Sequence, residues 1–294
     1  MLQEQAATAS TAEPTGKFAT VNGIRLHYLD WGGDAASRTI VLVHGGSAHA
    51  HWWDDVAPHL TAYGRVVALD FRGHGRSHWV DPPEYGPAAY LKDLVGFLEF
   101  LATPVVLIGH SMGGELSQRV AVHHPKLLSA LVIIDSPHGG PPITTRLMWR
   151  WKRRKQGGER PELLSVEALL RRFRLSPPGH YLSPERMARL ALAGAEQLAN
   201  GNWAFRFDPK TRSWRRKRSD FQKPPLKKIT MPTLIMRGES SALVSVRLAR
   251  RMHRAIPGST LKTIPRAYHH VPLDNPEATV EALTEFLESL SQRA

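Results

Sequence analysis

The sequence predicts an α/β fold: a mostly parallel central sheet with helices on both faces, interrupted by one long insertion. Three observations predict it. Short, almost uninterrupted apolar runs recur along the chain, as strands buried on both faces require. Helical stretches separate them, giving the strand-helix-strand alternation of a doubly wound sheet. That alternation stops after Asp135 and resumes near Pro232.

Residues 1–16 are rich in Gln, Ala, Thr and Ser and read as a disordered tail. The tail has no basic stretch followed by an apolar one, so no signal peptide is expected, and the expected location is cytoplasmic. Phe18–Val21 and Ile24–Asp30 flank Asn22-Gly23, a pair that tolerates positive φ, and so predict a hairpin. Buried strands are predicted at Thr39–Val43, Val66–Leu69, Val105–Ile108 and Leu131–Ile134, with helices at Ala88–Leu101 and Met112–His124. Strand Pro232–Met236, helix Val246–Ala255, strand Thr260–Ile264 and helix Glu277–Leu290 complete the pattern. The core thus comprises 17–136 and 229–294. The intervening 137–228 reads as a basic, mostly helical cap over the carboxyl ends of the strands, with helical periodicity at Val166–Phe173 and Pro184–Leu198.

A chain of 294 residues suits one large domain, or a domain with an insertion. No apolar run approaches the roughly 20 residues that span a bilayer. The absence of cysteine excludes disulfides, a thiolate nucleophile and cysteine-ligated metals. The net charge of +13 is concentrated: Arg146 to Lys228 holds 22 Lys and Arg against 7 Asp and Glu, and the rest is close to neutral. Arg150–Lys155 and Arg215–Arg218 carry much of it. No nucleic-acid-binding motif accompanies these runs, so no specific nucleic-acid partner is expected. They read as solvated faces, or as a weak contact with anionic surfaces. Trp149, Trp151, Trp203, Phe205, Phe207 and Trp214 lie among them, either as an apolar pocket over the strand ends or as the insertion's own core.

Gly109-His110-Ser111-Met112-Gly113 is a G-x-S-x-G motif set directly between a buried strand and a helix. The glycines allow strand and helix to approach closely. The serine is left in a strained conformation at a helix N-terminus, where negative charge is favoured. This predicts Ser111 as a nucleophile. Together with His44-Gly45-Gly46-Ser47 and Asp70-Phe71-Arg72-Gly73-His74-Gly75-Arg76-Ser77, the motif makes the chain resemble the α/β-hydrolase superfamily. The resemblance is to its cap-bearing serine esterases, within the esterase, epoxide-hydrolase and dehalogenase group. It covers nearly everything from Phe18 onward, and its motifs specify the fold more than the reaction. The resemblance implies an oxyanion hole made by the backbone N–H groups of Gly46 and Met112, with neither metal nor cofactor. Neither side chain is required for that role, and Met112 is expected to tolerate change better than Gly46. Asp70–Ser77 reads as a scaffold turn.

The resemblance also places the base in the loop Ala267–Pro276, at His269, with His270 the alternative offset by one. The acid departs from the common pattern. The loop Gly238–Val244, where many relatives keep it, has Ser241 and Ala242 at the expected positions, and neither can orient an imidazole. Asp135 ends a predicted strand at the place some relatives use, dehalogenases among them, and preserves the order Ser, Asp, His. Glu239 is the competing acid, and capping a turn is the competing use of Asp135. A serine at the elbow argues against dehalogenase and epoxide hydrolase chemistry, which uses a carboxylate there.

The expected activity is hydrolysis of a small apolar carboxylic ester through an acyl-enzyme. Lactonases, perhydrolases and carbon–carbon bond hydrolases use the same triad. The alternative is a hydrolase-derived ligand-binding protein with little turnover. His49 and His51 have no third ligand at suitable spacing, and with Trp52 and Trp53 are expected to line the pocket. Glu115, in the first turn of a helix, reads as structural.

Overall fold

The computed structural model describes residues 13–138, 159–213 and 222–292. Its main sheet contains β1 (Thr15–Val21), β2 (Ile24–Gly32), β3 (Thr39–Val43), β4 (Arg65–Leu69), β5 (Val105–His110), β6 (Leu128–Ile134), β9 (Thr233–Gly238) and β10 (Thr260–Ile264). They lie in the order β1-β2-β4-β3-β5-β6-β9-β10. β1 and β2 form the antiparallel hairpin at one edge, and β2 joins β4 antiparallel. All later pairings are parallel.

The apolar runs explain the layers. Successive side chains of a strand point to opposite faces, so every strand in the middle of the sheet contributes to two cores. Val41, Val43, Val67, Leu69, Leu107 and Ile133 pack with Leu94, Phe97, Leu116 and Val120 from the helices Pro87–Phe100 and Met112–His123. Ile40, Leu42, Val66, Ile108, Val132 and Ile134 pack on the other side with Trp53, Leu60 and the final helix Pro276–Ser291. Among the described residues, no helix is long and apolar enough to cross a membrane.

Two boundaries differ from expectation. Thr15 and Gly16 belong to β1 and not to the tail. The hairpin register continues to Thr15 opposite Asp30, and Lys17 Nζ meets Asp30 Oδ2 at 2.8 Å. In the insertion, the helix beginning at Pro184 stops at Ala193 and does not reach Leu198. Gly194 ends it, and Ala195–Gln197 becomes β7, paired antiparallel with β8 (Trp203–Phe205). The turn is Asn200-Gly201, with Gly201 at φ 85°, a hairpin signal overlooked in the sequence. The described part of 137–228 therefore mixes helices with a two-stranded sheet. Arg150–Lys155, Trp149, Trp151, Trp214 and Arg215–Arg218 lie outside the described residues.

The insertion is held against loops at the carboxyl ends of the strands. Leu175, Leu182 and Leu190 pack on Ala48, Trp52 and Leu273. Tyr85 Oη donates to Asp208, and Arg186 meets Asp55 at 2.7 Å. Trp203 and Phe205 pack on Leu169 and Ala195, so these two aromatics serve the insertion's own core. Phe207 instead reaches the core domain, edge-on to His74 at 5.0 Å.

Asp70 organises the turn after β4 and the loop after β3. Its carboxylate accepts hydrogen bonds from His27 Nδ1 (2.7 Å), Ala50 N–H (2.7 Å) and Arg76 N–H (3.1 Å). Burial by itself would raise this carboxyl, but the His27 bond and the surrounding histidines prevail and hold it near about 2. Its ionised form therefore stabilises the fold above the unfolded value of about 3.9, and this contribution disappears as pH falls from there toward 2. Asp70→Asn is expected to cost about 3 kcal/mol, because it leaves buried donors without an acceptor. A urea titration at pH 7 measures this. The gap between wild type and variant should narrow between pH 4 and pH 2.

Candidate active site

The turn from β5 into the helix Met112–His123 places Ser111 at φ 53°, ψ −115°. This is a left-handed region that a serine occupies only when its surroundings enforce it. Two glycines show why the turn is so tight. A Cβ at Gly113 would lie 2.4 Å from the carbonyl oxygen of Val43, and one at Gly109 would lie 2.5 Å from Ser117 Oγ. Ser111 N–H donates to Ile134 O (3.0 Å) and Gly113 N–H to His44 O (3.1 Å). The serine is thus tied to both neighbouring strand ends, and it remains half-buried.

His269 and Asp135 converge on it. His269 Nε2 lies 2.9 Å from Ser111 Oγ, and Nδ1 lies 2.7 Å from Asp135 Oδ2. Asp135 immediately follows β6 and also has a positive φ, 42°. Its N–H bonds to Met236 O at 2.8 Å, which fixes the strand end from which the carboxylate projects. Glu239 does not compete: it is exposed, and its carboxylate accepts from Arg266 N–H at 3.2 Å.

Ser241, which cannot itself orient an imidazole, supports the Asp135 carboxylate instead. Its Oγ lies 2.6 Å from Asp135 Oδ2 and accepts N–H bonds from Leu243 (3.2 Å) and Val244 (3.0 Å). With its lone pairs occupied, the hydroxyl proton must point at Asp135. Gly238 N–H donates to Oδ1 at 3.1 Å. Asp135 therefore accepts from three donors, His269 included, an environment that favours the carboxylate. Burial acts in the opposite sense, pushing the Asp135 carboxyl above its ordinary range, with Ser241 and Gly238 pulling it back. Burial also pushes His269 down, so its ring is neutral at pH 7 and Nε2 can accept a proton.

Neighbouring residues take other roles. His270 does not face Ser111 as a second base; its Nε2 bonds to Pro177 O at 3.0 Å, across to the insertion. Trp52 lies against His110 and edge-on to His270, as expected for pocket lining, whereas Trp53 is fully buried in the core. His51 bonds to Asp54, and His49 lies beneath Gly194. Glu115 pairs with Arg119 at 3.5 Å, one helical turn away. Gly46 and Met112 flank the elbow. A Cβ at Gly46 would meet only Met112 Sδ, at 3.9 Å, so space does not require glycine there.

Known proteins resemble this chain in sequence and in fold. A sequence model described as the alpha/beta hydrolase family matches residues 40–282. The chain is 27% identical over 303 residues to the esterase Rv0045c of Mycobacterium tuberculosis, covering 98% of this chain and 95% of that protein. It is 30% identical over 258 residues to a 2-(acetamidomethylene)succinate hydrolase of Mesorhizobium japonicum, covering 85% and 88%. The crystal structure of an E-2-(acetamidomethylene)succinate hydrolase superposes with a TM-score of 0.80 at 22% identity, covering 94% of this chain and 99% of the other.

The contrast between two glycines is testable. Gly113→Ala should destabilise by about 3 kcal/mol or more, since the clash is with backbone that cannot yield. Gly46→Ala should remain within about 0.5 kcal/mol of wild type. Thermal or urea unfolding of the two variants measures the difference.

Proposed function

The chain belongs to the alpha/beta hydrolase family, and within it we propose that it is a serine hydrolase cleaving carboxylic esters through an acyl-enzyme. The observation that carries this reading is the unbroken chain Ser111 Oγ, His269 Nε2, His269 Nδ1, Asp135 Oδ2. Ser111 attacks the ester carbonyl as its proton passes to His269. The tetrahedral oxyanion is held by the backbone N–H groups of Gly46 and Met112. The neighbouring N–H groups of Ser47 and Gly113 are committed to His74 Nε2 and His44 O. His269 then returns its proton to the leaving alkoxide. Water attacks the acyl-enzyme with His269 again as base, and the acid departs with Ser111 restored. Two donors fixed in advance at the developing charge contribute several kcal/mol to lowering the barrier. Asp135 keeps His269 in the required tautomer and stabilises the imidazolium.

The insertion is the proposed cap. It packs on Trp52, which itself stacks on His110 beside the nucleophile. A binding protein without turnover is disfavoured, because Asp135 lies within hydrogen-bond distance of the imidazole and supplies it with a carboxylate partner.

A second reading concerns substrate charge. Arg25, Arg76 and Arg206 line an open groove of about 430 Å³ with Phe18, Trp79 and Glu196. A relative at 30% identity is named for a succinate derivative. Arg206 is paired there with Glu196, so the relative's name is what supports an anionic substrate, and a panel pairing neutral with dicarboxylate esters separates the two readings.

Turnover of short p-nitrophenyl esters should vanish in Ser111→Ala. Asp135→Asn should lower kcat by roughly 10³–10⁴-fold, whereas Glu239→Gln should change little. Ser241→Ala should cost roughly tenfold, the loss of one hydrogen bond to a charged group. If Glu239→Gln abolishes turnover and Asp135→Asn spares it, the assignment of the acid is wrong.

The pH dependence follows from burial. The base must be neutral and the acid ionised, so kcat/KM should rise with pH along one limb as the Asp135–His269 pair loses its proton, then level off. In Asp135→Asn that limb should move, because the partner that shares the proton is gone. A pH–rate profile of both proteins reads this directly.

A further inference from the structure

The turn Asp70–Ser77 supplies no group to the proposed chemistry, yet its His74 reaches the loop that carries Gly46. His74 Nδ1 lies 2.9 Å from Arg72 O, and its Nε2 lies 3.2 Å from Ser47 N. A carbonyl can only accept, so the proton of the neutral ring sits on Nδ1, and Nε2 accepts from Ser47 N–H. A second histidine grips the same loop from the other side of Gly46. His44 Nε2 accepts from Phe71 N–H (3.1 Å), and its Nδ1–H donates to Gly45 O (2.7 Å). Burial pushes the pKa of His44 down to about 3, so this ring is neutral and keeps that tautomer. Peptide planarity turns the two bonds into a hold on Gly46. Gly45 C=O and Gly46 N–H share one rigid plane, and Gly46 C=O and Ser47 N–H share the next. Fixing Gly45 O and Ser47 N–H therefore orients both peptide units that meet at Gly46. Packing does not do this: Gly46 is exposed, and a Cβ there would meet nothing nearer than Met112 Sδ at 3.9 Å. Ser47 stands at φ 62°, a left-handed conformation that a serine keeps only when its surroundings enforce it.

We propose that His74 is a positioning residue for the oxyanion hole: by holding Ser47 N–H, it aims the N–H of Gly46 at the carbonyl that Ser111 attacks. The inference rests on the role given above to Gly46 N–H, and adds the side chain that fixes its direction. No proton or bond changes hands at His74. Its contribution is the orientation of a neighbouring dipole, which matters most when charge develops on the substrate oxygen. His74 is seated in turn by the insertion. Phe207 lies edge-on to its ring at 5.0 Å, and the backbones of the two residues form an antiparallel bridge. Asp208 N–H donates to Gly73 O at 2.9 Å. The insertion is thereby joined, through His74, to the loop that bears one of the two proposed donors.

Two substitutions separate positioning from mere support of the turn. His74→Asn puts an amide donor where Nδ1 stood and keeps the bond to Arg72 O, but offers Ser47 N–H no acceptor. His74→Gln does the reverse, with its amide oxygen where Nε2 stood. With short p-nitrophenyl esters, His74→Asn should lower kcat and kcat/KM together by at least tenfold, toward the roughly 10²–10³-fold that loss of one oxyanion donor costs. His74→Gln should recover most of that loss, with KM close to wild type in both and urea unfolding confirming that both fold. Equal losses in the two variants, wild-type turnover in His74→Asn, or a change in KM alone overturns the inference. If the wild-type chain turns over no ester, the esterase reading falls, and the rate of Ser111 labelling by a fluorophosphonate takes the place of turnover. The phosphoryl oxygen also gains charge as Ser111 attacks, so His74→Asn should label at least tenfold more slowly than His74→Gln; equal labelling overturns the inference. A wild-type chain that neither turns over esters nor labels overturns both.

Discussion

The crowding of three strand ends around one turn sets the geometry of everything near Ser111. β5 can hand over to its helix within a single residue only because Gly113 presents no side chain to the carbonyls of Val43 and His44. The strained serine costs on the order of 1–3 kcal/mol, and the double-faced apolar core offsets it. Because Ser111 N–H is bonded to Ile134 and Gly113 N–H to His44, Ser111 is fixed relative to β6, which leads into Asp135, and to β3, which leads into Gly46. A shift of any of these strands would move Ser111 with respect to His269 and Asp135.

The second constraint is the burial of a carboxylate. Asp135 is fully inaccessible, and an ionised group there is tolerable only if its acceptor sites are filled. Gly238, Ser241 and His269 fill them. Ser241 is oriented in turn by Leu243 and Val244. The loop after β9 thus contributes the hydroxyl that holds a carboxylate delivered from the neighbouring strand β6.

Much of this was legible in the sequence because it depends on local pattern. The apolar runs of β3 to β6, Asn22-Gly23 and the G-x-S-x-G turn each report their structure within a few residues. The meeting of Asp135 with His269 was reachable only through the family resemblance, which offers that strand end as one place for an acid and left Glu239 open beside it. Ser241 itself was not legible as a support, since its role exists only when residues 106 positions apart in the chain meet. The end of the helix at Ala193 was missed for a different reason: Gly194 and Asn200-Gly201 are turn signals set within a stretch of helical periodicity, and the strand pairing that decides between them is tertiary. Trp53 looked like its neighbour Trp52, and only packing sends one into the core and the other to the site.

Asp274 joins the insertion to the loop that carries His269. One of its oxygens accepts from Tyr181 N–H in the insertion, and the other accepts from Tyr268 N–H, one residue before His269, both at 2.8 Å. His270 adds a second tie, to Pro177. Displacing the insertion therefore strains the backbone that carries His269, and by reciprocity, fixing His269 against a bound molecule stiffens the insertion. A molecule held at His269 and the packing of the insertion are in this way linked: affinity gained at one is felt as rigidity at the other.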